Sequence, residues 1–291
     1  MLISGFVLLV VAVCFAFNLF LRIGPIGYGI ALLIAGGSAL LSYWKSDSVA
    51  LAMARAKPAD PKQYARLHNL VEGLCIGAGL PKPRLYVVDD PAPNAFATGR
   101  NPTHAAVAVT TGLLERMNRV ELEGVLAHEL SHIKNYDILV STLAVTCVGV
   151  IVLLGDFAQR MLWFGGGGGR RRGRGSSDGG LAAILGLVGL VFVMLSPLFA
   201  RLMQAAVSRR REALADVSGV AITRYPPGLI NALEKLRDDT TVVRSQSRAT
   251  AHLWIEQPMA RDESEGSFSR LNRMFDTHPP LEQRIAALRE L

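Results

Sequence analysis

Long uncharged apolar runs alternate with polar stretches along this chain. Leu2 to Leu21 carries no charged side chain, and after Arg22-Ile23-Gly24-Pro25 a second apolar run extends from Ile26 to Trp44. Each approaches the roughly 20 residues that a helix needs to cross the hydrocarbon core of a bilayer, so the pair predicts a tight transmembrane hairpin. A third run, Ile138 to Leu154, is shorter and continues through Asp156, Gln159 and Arg160 to Trp163 and Phe164. The fourth, Leu181 to Ala200, ends near Ser196-Pro197, where a membrane helix tolerates a kink. The pattern divides the chain into an apolar hairpin (1–44), a polar region (45–137), a second apolar pair (138–200) and a second polar region (201–291). An even number of spans between the polar regions allows both to form one domain on one membrane face. Residues 165–180, with five consecutive glycines followed by Arg170-Arg171-Arg172-Gly173-Arg174, cannot bury a core and predict a disordered loop.

Within the first polar region, Pro61 to Ala78 has helical spacing, with Tyr64, Leu67, Leu70, Val71 and Leu74 on one side. Arg84 to Val88 reads as a strand after Pro81 and Pro83, and Ala105 to Thr110 as a second one. Between them Asn94-Ala95-Phe96-Ala97-Thr98-Gly99 is short enough for an edge strand, able to pair with an extended peptide. Asn118 stands three residues before Glu121, a capping-box spacing that starts a helix running to about Tyr136.

Composition strengthens the membrane reading: the chain has 291 residues, 50% of them hydrophobic, and a mean hydropathy of +0.30. A net charge of +7 would suit nucleic acid, but the basic residues flank apolar runs and the Arg-rich loop has no interleaved aromatics. They fit contact with anionic lipid instead, and no nucleic-acid partner is expected. The first run lacks the basic leader and small-residue cleavage site of a signal peptide. The three cysteines are odd in number and lack metal-ligand spacing, so no disulfide framework is implied and a reducing compartment is favoured.

The chemistry lies on the capped helix, where Ala127-His128-Glu129-Leu130-Ser131-His132 contains H-E-x-x-H. Residues four apart share a helix face, so both imidazoles converge on one ion with Glu129 beside them. Zinc in such a site lowers the pKa of a bound water from about 15.7 towards 7. Glu129 would take that water's proton and pass it to the departing amine, so the nucleophile is water. A third ligand must come from another element. Glu212 and Asp216, four apart on a probable helix, supply one carboxylate for the ion and one for the far nitrogen of a ligating histidine. His68, His104 and His252 have no partner pattern and read as structural or exposed.

These features together resemble the HtpX-type branch of the membrane zinc metallopeptidases, which share a superfamily with the type I CAAX prenyl proteases. The resemblance rests on the apolar hairpin, Asn94 to Gly99, the H-E-x-x-H helix, two further apolar runs, Glu212-x-x-x-Asp216, and Thr277-His278-Pro279-Pro280 followed by Arg284. It implies His128, His132 and Glu212 as ligands of one zinc ion, Glu129 as general acid/base, Asp216 as support for a ligand, and Asn94, Ala95, Phe96 and Ala97 as the substrate strand. It also suggests His278 as a donor to the developing oxyanion, although that residue alone reads equally well as a surface histidine. The implied fold is mainly α, a membrane-anchored gluzincin-like metallopeptidase with four apolar helices and a small β-sheet beside the cleft.

The implied activity is zinc-dependent endoproteolysis of damaged or misassembled membrane proteins, a quality-control and stress-response role. The expected partners are those unfolded substrates and the lipid bilayer. The expected location is the inner or plasma membrane, multi-pass, with the catalytic domain in the cytosol. CAAX processing is the poorer alternative, since those relatives enclose a chamber with more spans than four. A structural zinc site would carry four closed ligands, whereas three leave a position for water.

Overall fold

In the computed structural model, short segments of the first polar region build a four-stranded mixed sheet in the order β1-β2-β4-β3. Its strands are β1 (Lys57–Pro58), β2 (Arg84–Val88), β3 (Ala95–Gly99) and β4 (Ala105–Thr110). The structure describes residues 44–45, 47–141, 209–239, 241, 254–255 and 279–291. The chain divides into two compact units, Met1–Trp44 with Thr146–Leu202 and Lys45–Val145 with Met203–Leu291, and almost all the described residues belong to the second.

β2 and β4 run parallel, with Arg84 opposite Ala106 and Val88 opposite Thr110, while β3 is antiparallel to β4 and forms one edge. Every residue of β3 and β4 is buried. The weak alternation of Ala105 to Thr110 follows from this, because a strand covered on both faces needs no polar side. Ala95, Ala97, Val107, Val109, Leu85 and Val87 face the main core, whereas Phe96, Ala106, Ala108 and Val88 face a smaller one with Ala50, Leu51 and Trp254.

Helices cover the main-core face. They are α1 (Ala65–Ala78), α2 (Thr111–Arg116), α3 (Arg119–Lys134), α4 (Arg209–Thr223), α5 (Pro226–Asp238) and α6 (Leu281–Arg289). The fold is thus mainly helical with a small mixed sheet. α1 starts four residues later than its apolar spacing suggested and ends on Gly79, whose left-handed φ of 67° accepts a helix terminus without a Cβ penalty. The capping box at Asn118 is present in both directions, with Asn118 Oδ1 accepting from the Glu121 N–H and Glu121 accepting from the Asn118 N–H. α3 is nearly all buried because it sits between the sheet and the helices α4 and α5.

Three helices went unassigned in the sequence, the short α2 and the longer α5 and α6. α5 opens on Pro226-Pro227 and buries Leu229, Ala232, Leu233 and Leu236, and α6 buries Leu281, Ile285 and Leu288. The four apolar runs lie almost wholly outside the described residues. Among the described residues no helix is long and apolar enough to cross a membrane.

Candidate metal centre

α3 presents His128 and His132 one turn apart, with the rings perpendicular and the Nε2 atoms 3.2 Å from each other. α4 brings Glu212 to the same point: its carboxylate oxygens lie 3.7 Å from His128 Nε2 and 3.6 Å from His132 Nε2. The close approach of the two helices depends on Gly219. A Cβ there would stand 3.1 Å from both N and Cα of His128, backbone atoms that cannot swing away.

The donor set fits a tetrahedral divalent ion. Bonds of about 2.0–2.2 Å would space tetrahedral donors about 3.3–3.6 Å apart. The Nε2 atoms stand 3.2 Å from each other, Glu212 Oε1 is 3.6 Å from His132 Nε2 and Oε2 is 3.7 Å from His128 Nε2, and one donor atom from each residue lies within 4.8 Å of the other two. Both histidines also engage a carboxylate through Nδ1, so each is held with its Nε2 lone pair towards the others. His128 Nδ1 is 2.9 Å from Asp216 Oδ1, and His132 Nδ1 is 3.1 Å from Asp137 Oδ2. His128, His132 and Glu212 therefore form a group able to hold a metal ion.

Around these ligands lies a buried ionic network. Arg284, on α6 and 3% exposed, donates through Nε and Nη2 to the two oxygens of Asp216 at 2.9 and 2.6 Å. Its Nη1 is 3.8 Å from Glu212 Oε2. Asp216 is held well below the usual carboxylate range: burial pushes it up, but the Arg284 charge and the hydrogen bonds from His128 and Arg284 outweigh that. His132 goes the other way, up to about 9 without a metal, because burial is outweighed by the Asp137 hydrogen bond and the charges of Glu212, Glu129 and Asp137. The negative surroundings that favour a proton on His132 equally favour a divalent cation.

The expected site residues fall as follows. His128, Glu129, His132, Glu212 and Asp216 are brought together from two helices, and Glu129 is buried (3%). Asp216 meets the Nδ1 of His128, and Glu212 is the acid grouped with the two Nε2-bearing rings. β3 is indeed an edge strand, but its edge is partly engaged. Thr110 N–H donates to Asn94 O, which turns the backbone groups of Ala95 and Ala97 outward. The Ala95 carbonyl accepts from the Ile255 N–H at 3.0 Å, and Trp254 packs edge-on against Phe96. His278 lies outside the described residues, as does His252. His68 and His104 are structural, the first hydrogen-bonded to the Ala59 carbonyl and the second to Asn101 and Thr103.

The sequence reading missed Asp137 altogether and gave Arg284 no role. A buried arginine pairing with an acid 68 positions away leaves no local signal.

Comparison with known proteins agrees with this geometry. The model of peptidase family M48 matches residues 61–291. The "Protease HtpX homolog" of Thermoanaerobacter pseudethanolicus is 46% identical over 251 residues, covering 86% of this chain and 80% of that one. Those of Dictyoglomus turgidum and Tropheryma whipplei are 42% and 46% identical, over 95% and 89% of this chain and 86% and 84% of theirs. Among solved structures, the fold is similar to that of "S. mikatae Ste24p", with a TM-score of 0.50 and 19% identity over 94% of this chain and 62% of that longer one. Two helices converging two imidazoles and a carboxylate, in a sequence so close to these relatives over most of its length, make the chain a metalloprotease of peptidase family M48, of the HtpX type.

Proposed function

We propose that the protein is a zinc-dependent endopeptidase of the cell membrane that hydrolyses damaged or misassembled membrane proteins. The observation that carries the reading is the convergence of one donor atom each from His128, His132 and Glu212 to within 4.8 Å of one another, three protein donors among the described residues. His128, His132 and Glu212 would hold the ion. Zinc bound there supplies Lewis acidity, which makes a water acidic enough to act as a nucleophile near neutral pH.

The chain's own residues do the rest. Glu129, next to the first ligand on α3, accepts the proton of the attacking water and delivers it to the departing amine. Asp216, kept ionised by Arg284, accepts the His128 Nδ1 proton and fixes that ring. The outward backbone of Ala97 on β3 offers an N–H and a carbonyl for an extended substrate, with Asn94 to Phe96 continuing the strand. His278 is assigned to the developing oxyanion on the sequence resemblance alone.

The direct test is incubation of the purified protein in detergent with an unfolded membrane protein, with and without a zinc chelator. Cleavage that stops on chelation and returns with added zinc supports the reading, and cleavage indifferent to the chelator refutes it. The proposed topology places both termini and the catalytic domain in the cytosol. Single cysteines at Ser176 and Ser247, in a variant lacking the native three, test it with an impermeant thiol reagent on intact cells. Labelling at Ser247 would overturn the cytosolic assignment. Labelling at Ser176 alone supports four full spans, and at neither site a partly inserted second pair.

A further inference from the structure

The helix that carries both histidines ends in a strained turn. α3 stops at Lys134, and the Asn135 N–H closes it on the carbonyls of Ser131 and Ile133. Tyr136 then adopts φ +61°, a left-handed conformation that L-residues with large side chains rarely take. The residue is 56% exposed, so burial of the tyrosine does not explain the turn.

What the turn accomplishes is the placement of the next residue. In a continuing helix a residue five positions after His132 would lie about 140° around the axis, facing away from it. The left-handed step brings Asp137 back instead, with Oδ2 3.1 Å from His132 Nδ1 and the carboxylate 12% exposed. Its other oxygen lies 3.7 Å from Nε of Arg211, the residue immediately before Glu212. One carboxylate thus reaches the second histidine and the start of the helix that supplies the third ligand.

We propose that Asp137 is a positioning residue of the metal group, accepting the His132 Nδ1 proton so that Nε2 faces the ion, and that the left-handed turn at Tyr136 serves to deliver it. The proposal rests on the zinc reading above. Asp137 does for the second histidine what Asp216 does for the first, and its contact with Arg211 ties that orientation to α4. Neither role touches substrate.

The test measures zinc affinity of the full-length protein in detergent, by competition with a chromogenic chelator, together with the far-ultraviolet circular dichroism of the metal-free form. Asp137→Ala should bind zinc about 10–100-fold more weakly with an unchanged metal-free dichroism spectrum. Asp137→Asn, which keeps an acceptor oxygen, should lose less. Tyr136→Val, whose branched Cβ disfavours the turn, should bind more weakly than Tyr136→Gly, which adopts it freely. Wild-type affinity in Asp137→Ala overturns the proposal, as does a loss accompanied by lost helix content in the metal-free form, which would make Asp137 a fold residue. Val binding as tightly as Gly at 136 overturns the role of the turn. A wild type that binds no zinc overturns the zinc reading itself, and this proposal with it.

Discussion

Replacing Arg284 with Met should destabilise the metal-free protein by about 3–5 kcal/mol, the usual cost of removing one partner of a buried ion pair. The structure supports that magnitude. Arg284 makes two charged hydrogen bonds to Asp216, at 2.9 and 2.6 Å, and hydrogen bonds to charged groups contribute about 1.5–3 kcal/mol each. Methionine fills much of the space of the arginine stem, so little of the loss comes from packing. What remains is Asp216, 4% exposed, a buried carboxylate whose only other partner among the described residues is His128. Adding Asp216→Asn to Arg284→Met should recover about half or more of the lost stability, since position 216 then carries no buried charge while an amide oxygen still accepts from His128. Urea unfolding of the metal-free protein in detergent, followed by tryptophan fluorescence, gives the three free energies. A double variant no more stable than Arg284→Met would refute the argument, because the penalty would then lie in packing or in α6 rather than in charge.

Glu212→Ala should lose most of its zinc, measured by metal analysis after dialysis, whereas Asp216→Ala should lose about 10–100-fold in affinity. In the metal-free protein His132 is raised to about 9, above its unfolded value near 6.5. Its contribution to stability is therefore complete below about pH 6.5 and is lost as pH rises through 9, so metal-free stability should fall across that window. The zinc-loaded protein, in which His132 must be neutral, should not show that fall, and thermal melts at pH 6, 7.5 and 9 compare the two. Gly219→Ala forces α4 away from the His128 backbone, 3.1 Å from the new Cβ, and should cost about 1–3 kcal/mol together with a weakened zinc site, read by urea unfolding and chelator competition.

Much of the catalytic unit was legible because its signals are local. β2 and β4 have the bounds that Arg84–Val88 and Ala105–Thr110 suggested, and Asn118 with Glu121 caps the H-E-x-x-H helix as their spacing requires. The histidines of H-E-x-x-H need only helical periodicity to converge. Glu212 and Asp216 are likewise one turn apart, although which acid faces the ion needed the packing of α4 on α3. Asp137 was hidden because helical periodicity puts it on the wrong face, and only the left-handed Tyr136 returns it to His132. β1 is a two-residue strand containing Pro58, and nothing in Lys57-Pro58 announces a ladder. α5 was readable from Pro226-Pro227 followed by Leu229, Ala232, Leu233 and Leu236, a start signal and an apolar stripe that the motif-led reading passed over. The engagement of Ala95 by Ile255, 160 positions later, joins segments that no local pattern connects.

The most direct test of the central claim is Glu129→Gln, assayed for metal content and for cleavage of an unfolded membrane protein on the same sample. The amide preserves the shape of the side chain and leaves His128, His132 and Glu212 untouched, but it can no longer carry a proton. The account predicts full zinc occupancy and cleavage reduced to background. Substantial cleavage by the zinc-loaded Glu129→Gln protein would contradict it.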